Sequence, residues 1–145
     1  MKNTFYLLIC SLFLIACTKE TAVSNEILSL PVEAEIDRFD QEFMQTAPEN
    51  FNTLKQKYPL LLSSNIPDSV WFNKKNDTLF NELYSETQKQ FKDISALKAD
   101  LTLLFKHIKY YYPNENPGKV ITVLSEVDIT SRAIYTDSIS IISLD

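Results

Sequence analysis

The amino-acid sequence predicts an α+β fold: a helix-rich N-terminal part followed by a small β-hairpin or sheet. Apolar residues recur at helical spacing between Asp40 and Tyr112, in segments separated by prolines. After Pro113 and Gly118 the pattern changes to short runs of β-branched residues. The chain has one glycine and six prolines, so proline sets most of the element boundaries.

Val32, Ala34 and Ile36 alternate with acidic residues, which predicts an opening strand with Glu33, Glu35, Asp37 and Asp40 on its solvent side. Phe39 and Phe43, four apart, predict a short helix over about 40–45. Pro48 suits the first position of the next helix, which carries Phe51, Leu54 and Tyr58 and stops at Pro59. Residues 60–69 read as a loop broken at Asn65 and Pro67. Val70, Trp71 and Phe72 then form an apolar knot expected to plug the core. A further helix is predicted over about 77–91, with Leu79, Phe80, Leu83, Tyr84, Thr87 and Phe91 on one side. The clearest helix covers about 95–112, with Leu97, Leu101, Leu104, Ile108 and Tyr112 as its stripe. Strands follow over 119–124 and 132–135. A turn at Thr136-Asp137-Ser138 leads into Ile139, Ile141, Ile142 and Leu144. That last strand is expected to lie at an open edge. The chain ends just after it, at Asp145, and reads as an incomplete domain: the front part of a longer one.

The first residues carry an address. Lys2 precedes an apolar run from Phe5 to Ala16. A dozen residues fall short of the roughly twenty that span a bilayer. A charged start, a short apolar core and a small residue at the end make a secretory signal peptide. Its close, Leu14-Ile15-Ala16-Cys17, matches the bacterial lipobox. The expected chemistry is a diacylglycerol on the Cys17 thiol, cleavage after Ala16 and acylation of the new amino group. Two or three acyl chains at about 0.8 kcal/mol per buried methylene anchor a protein firmly. The organisation expected is a signal peptide over 1–16, a lipidated Cys17 with a flexible tether over 17–30, and a domain over 31–145.

Cleavage leaves 145 less 16, or 129, residues, and loss of Lys2 moves the formal charge from -5 to -6. An acidic chain without a basic stripe is a poor nucleic-acid binder. Cys10 leaves with the signal peptide, so no thiol remains for a disulfide, a cysteine metal cluster or a cysteine nucleophile. A single glycine excludes a glycine-rich phosphate loop. His107 is the only histidine, which excludes the paired-histidine helix of zinc proteases within this chain. It reads as a packed or half-exposed helix residue. Tyr110-Tyr111-Tyr112 reads as the close of the long helix against the following turn, with an aromatic binding ledge as the alternative. Asp68-Ser69-Val70, Asp77-Thr78-Leu79 and Asp137-Ser138-Ile139 have the form of a periplasmic O-glycosylation site, which makes Ser69, Thr78 and Ser138 candidates. No catalytic residue, cofactor or metal ligand set is predicted.

Several pieces, taken in order, resemble the gliding-motility lipoprotein GldB family of the Bacteroidetes. They are Ile36-Asp37-Arg38-Phe39-Asp40, Lys57-Tyr58-Pro59-Leu60-Leu61, Ile66-Pro67-Asp68-Ser69-Val70-Trp71 and Asp77-Thr78-Leu79. The strongest is Leu104-Phe105-Lys106-His107-Ile108-Lys109-Tyr110-Tyr111-Tyr112-Pro113. Val120-Ile121-Thr122-Val123 and Ile134-Tyr135-Thr136-Asp137-Ser138 complete the set. The family's proteins are roughly twice this long, so the resemblance covers their N-terminal part. It implies a non-enzymatic envelope lipoprotein of the gliding machinery, with membrane lipid and other envelope proteins as partners. Thr18 in place of an aspartate after Cys17 implies the outer membrane, facing the periplasm. The family is distantly similar to predicted zinc metallopeptidases whose metal helix would lie beyond residue 145. An N-terminal fragment of such an enzyme is therefore the alternative.

Overall fold

The computed structural model describes residues 23–128, 130, 132–136 and 139–145. The predicted signal peptide over 1–16, the predicted lipidation site Cys17 and Ser138 lie outside the described residues. The fold is mixed α+β. The helices are α1 (Asn25–Leu28), α2 (Phe39–Gln45), α3 (Phe51–Lys57), α4 (Asp68–Asn76), α5 (Thr78–Gln90) and α6 (Ser95–Tyr111), with a 3₁₀ turn at Pro48–Asn50. The strands are β1 (Ile36–Asp37), β2 (Lys119–Val123), β3 (Ala133–Tyr135) and β4 (Ile139–Ser143), in the order β1-β2-β4-β3.

β1 and β4 both pair parallel with β2, and β3 pairs antiparallel with β4. The predicted antiparallel hairpin is present, but its second strand is not an edge. β4 lies between β2 and β3, and Leu144 is buried. The reason is a non-local parallel pairing, which the hydrophobic pattern of one strand cannot reveal. The opening strand is also shorter than the alternation suggested. Only Ile36 and Asp37 form the ladder, while Ala34 donates its N–H to Thr102 Oγ1 of α6 at 3.0 Å.

Side chains alternate across β2 and divide the core. Ile121 joins Phe43, Phe51, Leu54, Tyr58, Leu62 and Phe80 on one side. Val120 joins Ala34, Leu101 and Phe105 on the other. The first cluster is mostly aromatic and packs edge to face: Phe43 meets Trp71 at 6.2 Å and Phe80 at 6.3 Å, and Phe39 meets Tyr58 at 4.9 Å. Such pairs add about 0.5–1.5 kcal/mol each beyond area burial.

Four other expectations change. The knot at Val70, Trp71 and Phe72 is part of helix α4, with Val70 exposed and the two rings half-buried against the aromatic cluster. Three consecutive apolar residues point three ways around a helix, so they give no helical period. Leu79, predicted on the apolar side of α5, is exposed; Asp77 caps that helix by accepting the Phe80 N–H at 2.8 Å. In α6 the buried ridge is Leu101 and Phe105, while Leu104 and Tyr112 are exposed. The C-terminal part of the predicted tether, residues 23–30, is packed against the domain. Ser24 caps α1, Ile27 is buried, and α1 is fastened to α6 through Lys106 Nζ on the Leu28 carbonyl and Tyr110 Oη on Glu26 at 2.9 Å.

Candidate functional site

The most developed polar arrangement lies where β1 stops beside β2. Asp40, in the first turn of α2, is buried. Its Oδ1 accepts from Arg38 Nε at 2.9 Å and Thr122 Oγ1 at 2.5 Å. Its Oδ2 accepts from Arg38 Nη2 at 2.7 Å and Gln88 Nε2 at 2.9 Å. Arg38 also donates to the Phe91 carbonyl at 3.0 Å and to Gln88 Oε1 at 3.1 Å. Gln41 donates to that same Gln88 oxygen at 2.6 Å. One carboxylate thus ties together the junction between β1 and α2, the end of α5 and β2.

Burial pushes the Asp40 carboxyl up. Hydrogen bonds from Arg38, Thr122 and Gln88 and the charge of Arg38 outweigh that, holding it below the usual carboxylate range. A carboxylate offers about four acceptor positions, and here four donors fill them. These four contacts fix the Asp40 carboxylate in place between α2, α5 and β2. This corrects the prediction that the early acids share a solvent face. Glu33 and Glu35 are exposed, Asp37 is half-buried and paired with Lys119 at 2.9 Å, and Asp40 is inside.

Beside this network is a mostly apolar cavity of about 260 Å³, lined by Phe39, Phe43, Trp71, Phe80, Ile134 and Ile141, with Asp40, Lys74 and Ser125 as polar members. The Trp71 indole Nε1 is buried without a hydrogen-bond partner among the described residues. Lys74 lies over the Phe80 ring at 4.8 Å and pairs with Glu126.

The sequence-predicted residues sit elsewhere. His107 is half-buried on α6, and its Nδ1 lies 2.8 Å from the Leu103 carbonyl. A carbonyl only accepts, so Nδ1 carries the proton. The ring stacks against Tyr111 at 6.5 Å. Tyr112 ends the helix, giving its N–H to the Ile108 carbonyl. The three tyrosine rings are exposed rather than closed against the turn: 40% for Tyr110, 64% for Tyr111 and 65% for Tyr112. Ser69 and Thr78 are exposed in the first turns of α4 and α5. Among the described residues, no group of three or more His, Cys, Asp or Glu converges as a metal site. Also among them, no helix is long and apolar enough to cross a membrane.

Sequence reasoning missed Asp40. The available signal was a charged pair in Arg38-Phe39-Asp40, together with polar Thr87 and Gln88 near the apolar side of α5.

No curated protein and no solved structure matches the chain. The family model described as gliding motility protein GldB matches residues 19–145. The match includes the Asp40 network, both core clusters and the tyrosine end of α6, and the chain belongs to this GldB family.

Proposed function

We propose that the chain is a non-enzymatic lipoprotein of the gliding machinery. It is held on a membrane of the cell envelope by acyl chains on Cys17, in the outer membrane facing the periplasm. The observation that carries this reading is the family match over residues 19–145, directly after Leu14-Ile15-Ala16-Cys17. Two further points support it. The best-formed polar cluster is saturated by internal donors, as a structural knot would be. Three of the exposed aromatic residues, Tyr110, Tyr111 and Tyr112, lie together at the C-terminal end of α6 and take no part in that network, as a contact surface would require.

The experiment is genetic. Delete the gene in its host and image cells on glass, then complement with the intact gene or with Cys17→Ser. The expected result is loss of gliding, restored by the intact gene and not by the unlipidated variant. Normal gliding of the deletion strain, with no second copy of the gene, removes the motility role. Full rescue by Cys17→Ser removes the need for the anchor. Zinc-dependent peptide hydrolysis by the purified chain would contradict the non-enzymatic reading.

A further inference from the structure

We propose that the face formed by α1 and the C-terminal end of α6 lies against the lipid bilayer, with Leu28, Tyr110 and Tyr111 at the headgroup level. The inference rests on lipidation at Cys17 and adds an orientation to it.

The tether limits the reach of the domain. From Cys17 to Val23, the first described residue, the chain takes six steps. Fully extended, they span at most roughly 22 Å. A domain of this size is roughly 35 Å across. The tether is therefore shorter than the domain is wide. The domain is fastened at its tethered end because α1 is bonded to α6 through Tyr110 and Lys106. The layer of α4 and α5 packs on the core cluster opposite the one that α6 covers, so a tether this short favours the α1–α6 side.

Around the point of entry, Leu28 is 46% exposed, Tyr110 40% and Tyr111 64%. Tyr110 and Tyr111 meet edge to face at 5.1 Å, so the rings form a continuous aromatic edge. Lys106 and Lys109 flank them, each with its ammonium turned to a backbone carbonyl. Tyrosines with an apolar body and a polar tip, beside lysines with long apolar stems, suit a membrane–water interface. A protein partner would also accept tyrosines, but it would give no reason for them to cluster where the lipid anchor enters.

The test uses the lipidated full chain in vesicles of phosphatidylethanolamine and phosphatidylglycerol. Once Cys17 is acylated and Cys10 removed, an introduced cysteine is the only free thiol, and it takes a nitroxide label. Leu28→Cys and Tyr111→Cys probe the face, and Leu79→Cys on exposed α5 is the control. The expected result is that labels at 28 and 111 lose access to a water-soluble nickel chelate and gain access to oxygen, while position 79 stays open to the chelate. Equal chelate access at all three positions, in protein that floats with the vesicles, overturns the orientation and leaves the anchor standing. Protection at 111 that is already present in detergent, with spin–spin broadening, overturns it in favour of a second copy. Protein whose mass lacks acyl groups and which fails to float overturns the anchor and the orientation together.

Discussion

The two sides of the sheet use aromatic residues in opposite ways. On one side Phe43, Phe51, Tyr58 and Phe80 are buried, and their rings interlock with Phe39, Phe72 and Trp71. On the other, α6 buries only Leu101 and Phe105 and carries Tyr110, Tyr111 and Tyr112 in solvent. The acids divide similarly. Asp40 is buried in a saturated network, whereas Glu33 reaches across the surface to Lys98 at 2.6 Å. Residue type therefore does not say which side holds the fold together. The partner list does. The side with Phe43 and Asp40 is specified by many mutual ring and hydrogen-bond contacts, whereas the α1–α6 side keeps its tyrosines outside the core.

This contrast predicts a ladder of effects. Asp40→Asn should be the most damaging of four changes. It leaves the Arg38 guanidinium, only 12% exposed, without its charge partner. Breaking a buried pair from one side costs about 3–5 kcal/mol, a large share of the roughly 5–15 kcal/mol of a whole domain. Urea denaturation of the variant beside the parent measures it. An unchanged midpoint would mean that the network is not what joins β1, α2, α5 and β2.

The same group sets an acid dependence. The folded pKa of Asp40 is depressed relative to the unfolded chain, so its contribution is fully present above the unfolded value of roughly 3.9. It is lost as pH falls below that value toward the folded pKa. The parent should lose stability steeply below about pH 4, and Asp40→Asn should show a shallower acid limb. Parallel acid limbs would contradict the assignment.

Asp77→Ala removes the cap that accepts the Phe80 N–H, and should cost about 1 kcal/mol, read as a lower thermal midpoint. Trp71→Phe tests the unpartnered indole. It keeps a ring against Phe43 and deletes a buried donor that makes no bond, so stability should hold or rise by up to about 1 kcal/mol. A clear loss would show that the indole has a partner in solution. Tyr111→Ser should stay within about 0.5 kcal/mol, because its ring is exposed. A larger cost would make the α6 tyrosines part of the core and erase the difference between the two sides.

Much of the fold was legible where local signals agree. α2, α3, α5 and α6 each carry apolar residues at helical spacing, and Pro48, Pro59 and Pro113 mark their limits. α4 was not legible because Val70, Trp71 and Phe72 are consecutive. The parallel pairing of β1 and β4 with β2 was not legible because Ile36 and Val120 are far apart in sequence. Asp40 was misread for the same reason. Its burial depends on Gln88 and Thr122, and a lone acid in an alternating stretch looks like a surface residue. The tyrosine run was found in the sequence, but its exposure was not, since exposure depends on what else packs beside α6.

The central claim is that the chain works as a lipid-anchored protein with Cys17 as its first mature residue. The most direct measurement is the intact mass of the protein recovered from host membranes, with the N-terminal peptide resolved by digestion. The account predicts a chain starting at Cys17, heavier than its amino acids by a diacylglyceryl group and an amide-linked acyl chain. An unacylated chain, or one that retains residues 1–16, would contradict it.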